Sequence, residues 1–182
     1  VALTVALLLG AILNERFDVI YTRRDDTFVS LERRAMIAND AGADALISLH
    51  CNSGPTGQGD GFEVFTSPGE TPSDKLAVDL FTAYAAYFPH LRKRMDLSDG
   101  DVDKEANFTV LTRSRCRAVL FELEFIHTPV GVHFLTHPAN QARMAEALAT
   151  GTMRHFQAGS DETAKAALKT KLAEAQELLG KL

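Results

Sequence analysis

A chain of 182 residues, 46% apolar and 24% charged, has the size and balance of one folded domain, which excludes a disordered segment. With 19 basic against 24 acidic side chains the formal charge is −5, which argues against sequence-blind attraction to nucleic acid. Two cysteines, Cys51 and Cys116, cannot build a disulfide scaffold, and 12 Gly with 6 Pro exclude collagen-like or linker-like material.

Val1–Asn14 is almost wholly apolar, but a membrane span takes about twenty such residues. No basic stretch precedes it and no small-residue cleavage site follows, so it reads as a buried helix, not an export signal, with the preceding residues outside this sequence. Phe17–Thr22, rich in β-branched and aromatic residues, predicts a short strand, and Arg23–Thr27 a polar turn. Ser30 reads as the N-cap of a helix ending near Gly42, with Arg33 and Arg34 on the wet side and Leu31, Ala35, Ile37 and Ala38 on the dry side. Ala45–Leu49 is an apolar strand that ends abruptly in His50-Cys51-Asn52-Ser53. A Gly-rich loop and a strand at Gly61–Thr66 follow.

Ser73–Tyr87 has helical spacing, and Leu97–Glu105 reads as an exposed acidic loop. Phe108–Leu111 and Ala118–Ile126 predict strands. Pro129–Leu135 and Ala139–Phe156 predict helices, the second broken or softened near Gly151. Residues 1–156 therefore form one domain, 157–162 a linker and 163–182 a separate Ala/Leu/Lys/Glu helix. The alternation of strands and helices predicts an α/β fold: a mixed, largely parallel sheet with helices on both faces. Chemistry in such sheets gathers where strands end at their carboxyl edge.

His50 stands at such an end. It reads either as a zinc ligand or as a histidine satisfied by backbone hydrogen bonds. Cys51 should diverge from it, because successive strand side chains point to opposite faces. The interior-looking run Val119–Ile126 carries Glu122 and Glu124 at i and i+2, hence on one face. Carboxylates among apolar neighbours call for a partner, a metal ion or a raised pKa; the alternative is an edge strand with one solvated face. Arg113, Arg115 and Arg117 either bind an anionic substrate group or line a solvated turn. His127 is a weaker ligand candidate, and His90, His133, His137 and His155 lack ligand spacing. No phosphate loop, nucleophile elbow or CxxC pair is present.

The order of several short runs resembles the zinc-dependent N-acetylmuramoyl-L-alanine amidases of bacterial autolysins and phage endolysins. The first matching runs are Tyr21-Thr22-Arg23 with Asp26, Val29–Arg34 with Ala38-Asn39, and Ala43–Asn52. Gly61–Phe65, Asn107–Leu111 and Ala118–Ile126 follow in the same order. The resemblance spans residues 1 to 156, is specific through the order of its parts, and implies that the first strand of the fold is missing from this sequence.

By position, the resemblance implies that His50 is the second histidine ligand of zinc and Glu122 the catalytic glutamate. The family's other histidine and its glutamate ligand would fall upstream of Val1; Glu15 and Glu32 lie too late in the order to replace them. The 182 residues alone are therefore expected to be poorly active. In the family mechanism zinc lowers the pKa of bound water towards about 7 and polarises the amide carbonyl, while Glu122 carries the proton to the leaving amine. The substrate implied is the bond between N-acetylmuramic acid and L-alanine in peptidoglycan. Asn52, Arg113 and Arg115 are the expected substrate contacts, the arginines for a stem-peptide carboxylate, with the loops Gly54–Asp60 and Leu97–Glu105 lining the groove.

Two departures from the family pattern stand out. Glu124 replaces a small residue and is expected either to raise the pKa of Glu122 or to enter a neighbouring pocket. His127-Thr128 replaces Ser-Asn. Competing readings are a wall-binding module that does not cleave and another zinc peptidase of similar fold, such as a carboxypeptidase. Neither nucleic acid nor stable membrane insertion is expected, and the 163–182 helix offers a face for a partner helix. The substrate implies work outside the cytoplasmic membrane, in periplasm or wall, as a host autolysin or a phage lysin.

Overall fold

The computed structural model describes residues 1–55 and 59–156, so the expected linker and terminal helix lie outside the described residues. The described helices are α1 (Ala2–Leu13), α2 (Leu31–Asp40), α3 (Pro72–Tyr87), α4 (Thr109–Thr112), α5 (Pro129–Thr136) and α6 (Pro138–His155). The strands are β1 (Ala45–Asn52), β2 (Glu63–Thr66), β3 (Lys104–Glu105) and β4 (Arg117–Phe125). They form one sheet in the order β1-β4-β2-β3. β1 runs parallel to β4 and β2 parallel to β3, while β2 and β4 are antiparallel, so the sheet is mixed and mostly parallel as expected. β4 is interior, which removes the edge-strand alternative for Glu122.

Strand alternation sorts the sheet into two unlike faces. Val64, Val119, Phe121 and Leu123 join Leu8, Ile12, Leu76, Leu80, Tyr84 and Leu148 in the main core, which packs α1, α3 and α6 on one side. Tyr84 is fully buried there and its hydroxyl donates to the Leu123 carbonyl at 3.1 Å. The opposite face holds a smaller cluster in which Val110 and Leu111 of α4 cover Ala118 and Leu120, with Leu46 and Phe65 beside them. α2 packs next to α4 on that side.

Helix starts follow local chemistry. Ser30 Oγ accepts the Arg33 amide at 3.2 Å, and Thr71 with Asp74 forms a reciprocal capping box ahead of Pro72. Leu31, expected on the dry side of α2, is instead 45% exposed.

Four further expectations are corrected. Phe17–Thr22 is not a strand: it faces β1 across a cleft of about 780 Å³, and pairing needs a neighbour's N–H and C=O within reach. Phe108–Leu111 is not a strand either. β4 already has neighbours on both sides, so the run closes into the single turn of α4, with the Leu111 and Thr112 amides donating to the Phe108 carbonyl. The 97–105 loop is not wholly exposed, since Lys104–Glu105 pairs with β2 as β3 and Asp103 is buried. Nor is α6 interrupted at Gly151. Among the described residues, no helix is long and apolar enough to cross a membrane.

Gly151 is where α6 meets α3: a Cβ there would lie 2.7 Å from Leu80 Cα and 2.8 Å from the Asp79 carbonyl oxygen. Gly151→Ala is therefore expected to lose about 1–3 kcal/mol of stability through overpacking, measured as a lower urea midpoint at constant slope. An unchanged midpoint would show that the two helices do not meet this closely.

Candidate active site

On the α4 face, strand positions change from apolar to polar towards the carboxyl end of β4. The small cluster ends at Leu120 and Leu46; two and four residues beyond them stand Glu122, Ser48 and His50. His50 on β1 is the register partner of Glu122, and Glu63 on β2 is its partner on the other side. Neighbouring strands lie about 4.8 Å apart, so an imidazole and two carboxylates share one row on one face. Cys51 turns to the main core, as strand alternation requires.

The two carboxylates have opposite environments. Glu63 is 4% exposed, and its Oε2 accepts from Arg94 Nε at 3.0 Å and from Lys104 Nζ. Its Oε1 accepts from Asn52 Nδ2. Burial alone would raise its pKa, but the bonds and charges of Lys104 and Arg94 outweigh burial and hold it below the usual carboxylate range. Glu122 has no such clamp. Burial, reinforced by the negative charge of Glu63, pushes its pKa up to about 7. Its Oε2 is buried with no partner among the described residues. Burial, then the Arg34 guanidinium, pushes the pKa of His50 down, so the ring is neutral at pH 7 and able to coordinate a metal; its Nε2 lies 2.9 Å from Ser48 Oγ.

The clamp is assembled by loop pairing. The Phe62 amide donates to the Arg92 carbonyl and the Arg94 amide to the Phe62 carbonyl, both at 3.1 Å, which places Arg94 beside Glu63. Gly61 makes this possible: its φ is +91°, and a Cβ would lie 2.1 Å from the Arg92 oxygen. Lys104 arrives through β3, opposite Phe65.

Glu124 does not share the Glu122 environment. The register shifts between the His50 and Asn52 pairs, so β4 carries an extra residue there and strict alternation fails. The Glu124 carboxylate instead accepts the Gly61 amide at 2.7 and 2.9 Å and its neighbour Phe125 at 2.7 Å. The charge that raises Glu122 is that of Glu63, not of Glu124. Asn52 is in the site, but its amide is engaged by Glu63 and its Oδ1 accepts the Ser53 amide.

Arg113 and Arg115 are not brought to the site. They precede β4 at its amino end, with Arg117 already about 16 Å of strand away from Glu122. There the Arg113 carbonyl and the Arg115 amide bond Asn39. His127 lies past the other end of β4, its Nδ1 accepting from the Gly54 amide at 3.2 Å. Among the described residues, no three His, Cys, Asp or Glu side chains are arranged to hold a metal ion. His50 and Glu122 thus fall short of the three or four protein donors of a zinc site.

Sequence reading missed Glu63, Arg94 and Lys104. Glu63 had a signal of the same kind as Glu122: a carboxylate inside the apolar strand Phe62-Glu63-Val64-Phe65. The two cations had none, since their role depends on loop placement.

A family model described as N-acetylmuramoyl-L-alanine amidase matches residues 1–154. The chain is 33% identical over 129 residues to a sporulation-specific N-acetylmuramoyl-L-alanine amidase of Bacillus subtilis (strain 168), covering 69% of this chain and 47% of that protein. It is 31% identical over 155 residues to the N-acetylmuramoyl-L-alanine amidase CwlM of Bacillus licheniformis, covering 84% and 57% respectively. It thus spans about half the length of these relatives. Among solved structures, an N-acetylmuramoyl-L-alanine amidase from Clostridium difficile 630 superposes with a TM-score of 0.75 at 28% identity, covering 87% of this chain and 83% of that one.

The raised pKa of Glu122 has a consequence for stability in the absence of metal. Between its ordinary value of 4.5 and about 7, the native state keeps a proton that the unfolded chain has released, so stability falls as pH rises through that window. In EDTA, Glu122→Gln is expected to match the wild type near pH 4 and to exceed it at pH 8 by on the order of 1–2 kcal/mol in urea unfolding. Equal pH dependence of the two proteins would contradict the assignment.

Proposed function

The chain belongs to the N-acetylmuramoyl-L-alanine amidase family, and from that premise we propose that it cleaves the amide joining N-acetylmuramic acid to L-alanine in peptidoglycan, outside the cytoplasmic membrane. The observation that carries the reading is the buried, unpartnered Oε2 of Glu122, on a carboxyl whose pKa of about 7 lets it both take and give a proton at neutral pH. Amide hydrolysis needs both transfers: a proton leaves the attacking water, and one reaches the departing amine. Glu63, kept ionised by Arg94 and Lys104, maintains the proton affinity of Glu122 and fixes Asn52 at the rim.

Zinc dependence is part of the proposal. His50 contributes one neutral imidazole beside Glu122, and the other donors are not among the described residues. The 182-residue chain is therefore expected to bind zinc no tighter than the micromolar range, as a lone imidazole allows, and His50→Ala to weaken it further. Nanomolar binding that survives His50→Ala, read by competition with a chromogenic chelator, would remove His50 from the ligand set. The rival reading is a module that grips wall without cutting it; His50 and Glu122, held in register on one face, speak for cleavage instead.

The deciding experiment incubates purified peptidoglycan with the protein carrying this chain and zinc, and quantifies new L-alanyl amino termini. Cleavage is expected, with Glu122→Gln lowering turnover about 10²–10⁴-fold while zinc content is unchanged. Wall binding without new amino termini would establish the binding module. Release only from peptides with a free carboxyl terminus would establish a carboxypeptidase.

A further inference from the structure

Asp103 takes no part in the reaction site, yet at 2% exposure it is the most buried carboxyl among the described residues. Its Oδ2 accepts from Thr66 Oγ1, whereas Oδ1 is shut away from solvent with no partner. Asp101 Oδ1 accepts the Asp103 amide at 3.3 Å, and the negative charges of Asp101 and Asp74 both act on the Asp103 carboxyl. Asp74 is already occupied, accepting the Thr71 amide and hydroxyl as the cap of α3. No ion pair reaches Asp101 or Asp103 among the described residues, and the adjacent Lys104 is turned to Glu63.

Two ionised carboxyls are acceptors only, so they cannot satisfy one another. The buried Asp103 Oδ1, left without a partner beside Asp101, costs free energy until a positive charge meets it. The surrounding segment adds Asp96, Asp99 and Glu105, which draw cations to this corner of the surface.

We propose that Asp101 and Asp103 bind a hard divalent cation, magnesium or calcium, at the root of the 96–105 loop. The donors are oxygens throughout, which suits these ions better than zinc. Two carboxylates are a common protein share for magnesium, which keeps several waters; calcium adds backbone carbonyls and water. Asp103 leads directly into β3, whose Lys104 clamps Glu63, so a cation here would steady the loop that delivers this charge to Glu122. The inference does not depend on the proposed amidase activity.

The test is calorimetric titration of MgCl2 and of CaCl2 into the EDTA-treated and dialysed chain, with thermal unfolding in parallel. Saturable binding of at least one ion is expected, and at ten times its Kd the Tm should rise by about 3–6 °C. Asp101→Asn and Asp103→Asn should each weaken binding at least tenfold, while His50→Ala leaves it unchanged. Asp101 is half-buried, so its variant remains informative if Asp103→Asn does not fold. The proposal is overturned by absence of saturable binding of either ion, or by binding unchanged in both aspartate variants. It is equally overturned if Tm ignores both ions and rises only as pH falls, because a proton then neutralises Asp103.

Discussion

Everything in this fold is arranged around the two-residue period of one interior strand. β4 has β1 along most of one side and β2 across Leu120–Glu122 on the other, so its side chains are forced alternately to opposite faces. The odd positions Val119, Phe121 and Leu123 complete a core against α1, α3 and α6. The even positions run from Ala118 and Leu120, under α4, to Glu122, where the small cluster has ended. A slip of one residue would bury Glu122 in the main core and expose Phe121, which is why the register is firmly specified.

The electrostatic character of the site comes from placing two glutamates side by side and treating them differently. Glu63 receives a guanidinium, an ammonium and a carboxamide, and stays ionised. Glu122 receives none of these and inherits the repulsion of its neighbour along with its own desolvation. Two like groups whose environments drive their proton affinities apart are a recurring feature of acid–base sites. Here the difference is set by loops: Phe62 pairs with the 92–94 segment, and β3 pairs with β2. The site is thus half strand and half loop, with the strands fixing positions and the loops fixing charge.

The elements read correctly in sequence were those with a strong local signal. The α3, α5 and α6 helices have apolar periodicity bounded by capping residues or prolines, α1 is apolar almost throughout, and β4 has an uninterrupted apolar frame around its glutamates. His50 and Glu122 were legible as anomalies, a histidine closing an apolar strand and carboxylates inside one, and the structure brings them into register. Phe17–Thr22 and Phe108–Leu111 have strand-like residues too, yet neither finds an edge to pair with, and composition carries no information about available edges. Glu124 misled for a similar reason, since a bulge is a property of two strands together.

The sequence by itself determined which residues must be buried, where helices start, and that Glu122 sits in surroundings hostile to its charge, because burial preference, capping and periodicity act over a few neighbouring residues. Only the tertiary structure decided which charges surround that carboxyl. Glu63, Arg94, Lys104 and Asn52 come from four separate stretches of chain, and Coulomb interactions depend on distance in space, not along the polymer. Arg115 and Arg117, only a few residues before Glu122, are a strand's length away from it for the same reason.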